Sequence, residues 1–186
     1  MRLLKLLIGI VPLLASCAGG GTPSLPRPTA YPRPNLPDTA MCIVEEAPLV
    51  FAANAQAVVT SPRAGWFDIV YPSLGTIIHL TFTETEDAQL EGIKENRMQR
   101  LMLNDGEGAV DFAEFTNPAG FDIMTASAEE SATPFQFLAT DNRQWVVSGA
   151  VYLSDPNAPF ALDSIRPIVN AVRRDMVKSL NSLNYK

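Results

Sequence analysis

Few residues of this chain are placed to do chemistry. It carries one histidine, His79, two cysteines, Cys17 and Cys42, and 20 carboxylates. A Ser-His-Asp triad has only His79 to draw on, and no Gly-x-Ser-x-Gly turn precedes a helix. A catalytic thiol at Cys42 needs a base beside it, and again only His79 is available. Zinc takes three or four His, Cys or acidic ligands, which one histidine and one spare cysteine do not supply. Gly106-Glu107-Gly108 lacks the Lys-Ser/Thr that follows a phosphate-cradling loop. Paired carboxylates hydrolyse glycosides, but twenty acids always yield some pair, so that signal decides nothing. The expectation is a chain that is not an enzyme and takes no metal and no cofactor. Trp66, Tyr71, His79 and Trp145 have the best claim to a ligand or partner surface. For the tryptophans the plainer alternative is core packing. For His79 it is a strand histidine hydrogen-bonded to backbone or to a neighbouring carboxylate.

The chemistry that the sequence does announce is at the N-terminus. Arg2 and Lys5 form a short basic region, an apolar run extends to Leu14, and small residues lead to Cys17. This is the pattern of a secretory signal, too short to span a bilayer comfortably. Leu14-Ala15-Ser16-Cys17 resembles the lipobox of bacterial lipoproteins, which implies cleavage after Ser16 and acylation, with palmitate for example, of Cys17. Each buried methylene contributes about 0.8 kcal/mol, and two or more acyl chains hold a protein stably at a membrane. Ala18-Gly19-Gly20-Gly21 carries no acid after the cysteine. By the sorting rules this resembles, that favours the outer membrane and its periplasm-facing leaflet.

Removing residues 1–16 takes Arg2 and Lys5 with it. Twelve basic residues then face 20 acidic ones, a net charge of −8. A polyanion is repelled by such a surface and gains nothing from counterion release, so nucleic acid is not expected as a partner. With Cys17 acylated, Cys42 has no partner for an intramolecular disulfide. Residues 17–40 read as an acylated cysteine followed by a tether. Pro23, Pro26, Pro28, Pro32, Pro34 and Pro37 favour extended polyproline II there. Residues 41–186 have the size of one globular domain.

Within that domain the periodicities alternate between two and 3.6 residues. Pro48 to Phe51 and Ala57 to Val59 are weakly signalled strands. Gly65 to Pro72 and Thr76 to Thr83 are β-branched and aromatic with a turn between them, so they read as a hairpin. Ile78, Leu80 and Phe82 share one face of it, and Ile77, His79 and Thr81 the other. Residues 85–103 read as a helix capped by Thr83 or Thr85, with Leu90, Ile93, Arg97 and Leu101 in one stripe and Asn104-Asp105-Gly106 as its stop. Strands are expected over Val110 to Thr116, Gly120 to Ala126, Pro134 to Thr140 and Arg143 to Leu153, where Asp155-Pro156-Asn157 breaks the pattern. Ser164 is the expected N-cap of a closing helix that places Pro167 in its first turn. Its stripe of Ile165, Ile168, Val169, Val172, Met176, Leu180 and Leu183 must lie on something apolar. The sum is α+β, a mainly antiparallel sheet with packed helices.

Several of these segments, taken in order, resemble the gliding-motility lipoproteins of the GldD type. They are Ala30 to Pro37, Trp66 to Pro72 with Ile77 to Phe82, Ala132-Thr133-Pro134-Phe135-Gln136-Phe137 to Asp141, Gly149 to Leu153, and Asp163 to Val169. Residues 40–62 match poorly, and the loop holding Ala158 to Ala161 looks stretched. The resemblance implies a Bacteroidota-type cell-envelope lipoprotein that serves gliding motility and type IX secretion, with envelope proteins of that apparatus as partners. It also suggests a PsbP-like sandwich. The alternative is a periplasmic module for a small ligand, glycan or lipid, with an apolar pocket near His79 and Trp66.

If Cys17 carries the anchor, Cys17→Ala abolishes incorporation of a fatty-acid analogue and moves the protein from the envelope to the soluble fraction. A variant that still sediments with the envelope like the parent refutes the lipid assignment.

Overall fold

The computed structural model describes residues 40–46, 48–103, 110–128, 131–153 and 162–185. All that was expected of residues 1–39, and the stops at Asn104-Asp105-Gly106 and Asp155-Pro156-Asn157, lie outside these residues. Among the described residues, ten strands and two long helices follow one another. They are β1 (Met41–Glu46), β2 (Leu49–Asn54), β3 (Val58–Arg63), β4 (Trp66–Tyr71), β5 (Thr76–Glu84), α1 (Asp87–Leu103), β6 (Asp111–Thr116), β7 (Asp122–Ser127), β8 (Phe135–Thr140), β9 (Trp145–Leu153), α2 (Leu162–Ser182) and β10 (Asn184–Tyr185). Seven strands form one sheet in the order β3-β4-β5-β9-β8-β7-β6, and β1-β2-β10 form a second. Every pairing is antiparallel. The fold is therefore α+β and dominated by sheet.

The hairpin read from the sequence is β4–β5, with Asp68 opposite His79 and Ile69 opposite Ile78. A 3-10 turn at Pro72–Leu74 joins the two strands, and Gly75 closes it in the left-handed region at φ 56°. Along β5, Thr76, Ile78 and Leu80 are buried while His79 is exposed, so the two-residue alternation decides which face meets the core.

The large sheet packs on both faces. On the inner face, Phe67, Ile69, Ile78, Leu80, Phe137 and Val147 join Val172, Met176 and Leu180 of α2 and Leu49 and Phe51 of β2 in one apolar core. Phe51 meets Phe67 edge to face, with centroids 6.2 Å apart. On the outer face a smaller cluster unites Leu90 and Leu101 of α1 with Ala126, Leu138 and Val146. The stripe of the closing helix thus rests on the small sheet as well as the large one.

Three local expectations need correction. Neither threonine caps α1: Thr83 lies inside β5, and the Thr85 hydroxyl donates to the Glu86 carbonyl at 3.3 Å. The closing helix starts at Leu162, so Ser164 is its third residue and Pro167 its sixth. The missing N–H of Pro167 therefore costs one ladder bond near the helix start. The segment 40–62, weak in the sequence, holds β1, β2 and all but the last residue of β3. β1 is held by its pairing with β2, from Met41 opposite Asn54 to Glu46 opposite Leu49, and needs no strong apolar alternation of its own.

Gly149 sits opposite Leu80 on one side and Phe137 on the other. A β-carbon there would stand 2.6 Å from Phe137 Cζ and 2.8 Å from the His79 carbonyl oxygen. The ring is buried and the oxygen belongs to the backbone, so neither gives way freely. Gly149→Ala is expected to lower unfolding free energy by about 1–3 kcal/mol, the range for overpacked cores. Urea denaturation measures the loss, and an unchanged midpoint would show that the Phe137 ring can swing aside.

Candidate functional site

The four candidate side chains lie on opposite faces of the sheet. Trp66 and His79 project from the outer face. Trp66 is 40% exposed, with the Arg63 guanidinium 3.5 Å from its ring centroid. His79 Nδ1 lies 2.7 Å from Asp68 Oδ1, and its ring meets Tyr152 at a tilt of 57° with centroids 5.2 Å apart. Asp68 and His79 are cross-strand partners in register, which is why they meet. Tyr71 and Trp145 point into the inner core and are almost fully buried. Trp145 packs on Phe82, and its Nε1 has no hydrogen-bond partner among the described residues. The sheet thus brings Trp66 near His79 and separates both from Tyr71 and Trp145.

Tyr71 belongs to a buried polar cluster that the sequence did not disclose. Asp175, on α2 and 4% exposed, accepts from Asn54 Nδ2 at 2.8 Å and from the Tyr71 hydroxyl at 3.5 Å. Lys178, one turn along, approaches its other oxygen at 3.9 Å. Asn54 in turn accepts the Gln56 N–H through its Oδ1 at 2.9 Å. A carboxylate this buried is costly unless paired and hydrogen-bonded. Its partners come from β2, β4 and α2, so it stitches three elements together.

A second polar chain runs across the outer face and borders a groove. Asp141 Oδ1 accepts the N–H groups of Arg143, Gln144 and Trp145 at 3.0, 3.0 and 2.8 Å, which folds the β8–β9 turn. That turn holds Asn142 at φ 55°, a conformation asparagine tolerates better than most residues. From there Asn142 Nδ2 donates to Asp122 Oδ2 at 2.6 Å, and its Oδ1 accepts from Lys94 Nζ at 3.0 Å. Thr116 donates to the other Asp122 oxygen at 2.8 Å. The chain ties α1 to β7 and β6. Beside it lies a cavity of about 490 Å3 lined by Met98, Met124, Leu138 and Glu114 together with these polar groups. Neither this cavity nor the more polar recess between Glu84, Glu86, Gln89 and Gln144 is lined by any of the four candidates. The one local signal that could have marked the groove is the Asp141-Asn142 pair, a turn former between two strands. Its partners Lys94 and Asp122 are set by packing alone.

Chemically the groove is suited to holding a small molecule. Its lysine and its Asp122 carboxylate are each bound to Asn142, Met98, Ile123, Met124 and Leu138 give it an apolar part, and its volume falls in the range of small-molecule clefts. Among the described residues no three His, Cys, Asp or Glu side chains converge as a metal site would require. Nor is any described helix long and apolar enough to cross a membrane. Cys42 is an exposed thiol on β1 that donates to the Ala53 carbonyl at 3.5 Å.

Burial, then the Asp175 charge, then the hydrogen bond to it raise the Tyr71 pKa well above its usual value near 10. In the unfolded chain this tyrosine ionises near pH 10, while in the fold it must keep its proton. Its contribution to stability is whole below about pH 10 and is lost as pH rises beyond, at up to about 1.4 kcal/mol per pH unit. Tyr71→Phe should flatten the alkaline limb of the stability–pH curve and cost little near neutrality. An alkaline limb as steep as the parent's would assign the loss to other groups.

No curated protein sequence matches the chain significantly. A family model does. The model described as gliding motility lipoprotein GldD matches residues 21–185, which takes in every described element. The match begins within the glycine run and includes the proline-rich segment, so that segment is part of the family pattern. Spanning all but the first 20 residues and the last, it places this chain in the GldD family of gliding motility lipoproteins.

Proposed function

We propose that the protein is a non-catalytic accessory subunit of the gliding and type IX secretion machinery. Acyl chains on Cys17 anchor it to the outer membrane, and it faces the periplasm. Membership in a lipoprotein family implies association with the envelope, and the match over residues 21–185 is the observation that carries the reading. Residues 1–16 then serve as signal peptide, 17–40 as acylated tether and 41–186 as the working domain. The arrangement of side chains supports a binding role. The single histidine is held by Asp68 on an open strand face, and the groove's Lys94 and Asp122 are each bound to Asn142. A seven-stranded antiparallel sheet with helices on both faces also supports the PsbP-like comparison.

A second reading has one observation in its favour. The groove beside α1 has the size and the apolar part of a small-ligand site, although it lies away from His79 and Trp66. A glycan or lipid fragment bound there would make the domain a sensor within the same apparatus.

Deletion of the coding sequence tests the main reading. Export of proteins with type IX signals and spreading on agar should both fail, and both should return with the wild-type chain. Normal export and normal spreading in the deletion strain would remove the proposal.

A further inference from the structure

The large sheet ends in two edge strands, β3 and β6, and the chain treats them differently. An edge strand presents a row of unpaired N–H and C=O groups, and proteins usually blunt it with proline, bulges, lysine or a covering element. β3 is blunted. It carries Pro62, its register with β4 shifts between Thr60 and Arg63, and it ends in a cation. β6 has none of these features. Its six residues pair with β7 without interruption, from Asp111 opposite Ser127 to Thr116 opposite Asp122. It contains no proline, lysine or arginine, and five of its six side chains are exposed. Phe112 is 47% exposed, a large apolar group left in water at the margin of a sheet.

The groove described above meets this same edge, because Glu114, Phe115 and Thr116 of β6 form one of its walls. A strand laid along β6 would stand about 4.8 Å beyond it. Every second side chain of that strand would flank Phe112 and Glu114 on the face where Met98 and Met124 line the groove. Edge and groove are independent observations, and both ask for an extended polypeptide with large apolar side chains.

Charge selects the kind of polypeptide. β6 offers two exposed carboxylates, Asp111 and Glu114, one on each face of the strand. Lys94, the cation that lines the groove, is engaged by Glu91 and Asn142 at 3.0 Å each. A second copy of this chain would bring the same carboxylates and no base to the pairing. We propose that β6 is a docking edge that takes up a basic, extended segment of a partner protein by strand addition, with apolar residues of that segment reaching the groove. Main-chain hydrogen bonds would supply affinity, and the groove and the two acids would supply selectivity. The proposal rests on the reading of the chain as a binding subunit and specifies how it binds.

The test uses the full-length lipoprotein in detergent and hydrogen–deuterium exchange. The probe is the peptide acetyl-Arg-Val-Lys-Leu-Thr-Val-Lys-amide. Two counterparts accompany it, one with glutamate for each basic residue and one methylated on its amide nitrogens. The basic peptide should slow exchange in the fragment covering residues 111–116 and leave residues 58–63 unchanged. Ala113→Lys, at an exposed position of β6, should weaken this effect at least tenfold. Equal protection by the acidic or the methylated peptide, protection elsewhere only, or indifference to Ala113→Lys would overturn the proposal. So would a dimer in sedimentation that Ala113→Lys dissolves, since the occupant would then be a second copy. The two readings fail separately. If the peptide has no effect while export still depends on the chain, strand addition falls and the proposed function stands. If export is normal without the chain, the proposed function falls whatever the peptide does.

Discussion

Strands β5 and β9 pair over nine consecutive residues, from Thr76 opposite Leu153 to Glu84 opposite Trp145, and the rest of the molecule is arranged around that pairing. Their inner side chains, Ile78 and Leu80 with Val147 and Val151, enter the large core, while Val146 on the other face enters the core under α1. Because side chains alternate strictly, a slip of one residue in this pair would exchange the two faces and empty both cores. Gly149 fixes the point of closest approach. The space a β-carbon would fill is taken by the Phe137 ring from one neighbour and the His79 carbonyl from the other. The registers of β8 and β5 against β9 are therefore coupled at one residue.

The polar interior follows from that frame. α2 lies across β2 and the inner face of the sheet, and three buried or half-buried polar groups secure it. Asp175 binds Asn54 of β2 near the helix middle. Ser182 accepts the Ala52 N–H at 2.7 Å near its end. Beyond the last turn, Asn117 Nδ2 donates to the carbonyls of Leu180 and Leu183 at 2.9 and 2.8 Å, while its Oδ1 accepts from Ala119 and Phe121. Helix C-termini leave carbonyls without partners. Here one asparagine from the β6–β7 turn satisfies two acceptors at the end of the chain and orders its own loop. These bonds specify where the helix sits along the sheet, which apolar contact alone, being non-directional, does not.

What could be seen in the sequence divides along the same line. The β4–β5 hairpin, β6 to β9 and both helices announce themselves by local period. Ile78-His79-Leu80 alternates, and Val172, Met176 and Leu180 recur at helical spacing. Of the small sheet only β2 was weakly visible. β1 and β2 are short, and they owe their form to each other and to β10, more than 120 residues further on. The Asp175–Asn54–Tyr71 cluster and the Lys94–Asn142–Asp122 chain were invisible for one physical reason. Each is a meeting of distant segments, and no local pattern marks a carboxylate that will be buried or an asparagine that will bridge. Trp66 and Trp145 show the converse. Their residue type is the same, yet strand parity sends one outward against Arg63 and the other inward against Phe82.

The outer face bears on function through what covers it and what does not. α1 packs on β8 and β9 and shields Leu138 and Val146, so about half of that face is a second core. The other half, over β4, β5 and the end of β9, is open and carries Trp66, His79 and Tyr152. Its exposed apolar area is interrupted: Arg63 covers the Trp66 ring, and the Asp68–His79 pair sits between Trp66 and Tyr152. Interspersed charge of this kind keeps a sheet face soluble and lowers its value as an apolar docking surface. The other margin of the sheet is built the opposite way, with the methionine-lined groove beside a strand whose backbone edge carries no such guard. On the proposed reading, with the domain tethered at a membrane, neighbours would be met at high local concentration, so weak strand pairing at a single edge would suffice for association. If β6 docks a partner as proposed, the fold sets that contact at one margin of the large sheet and keeps the broad face solvated.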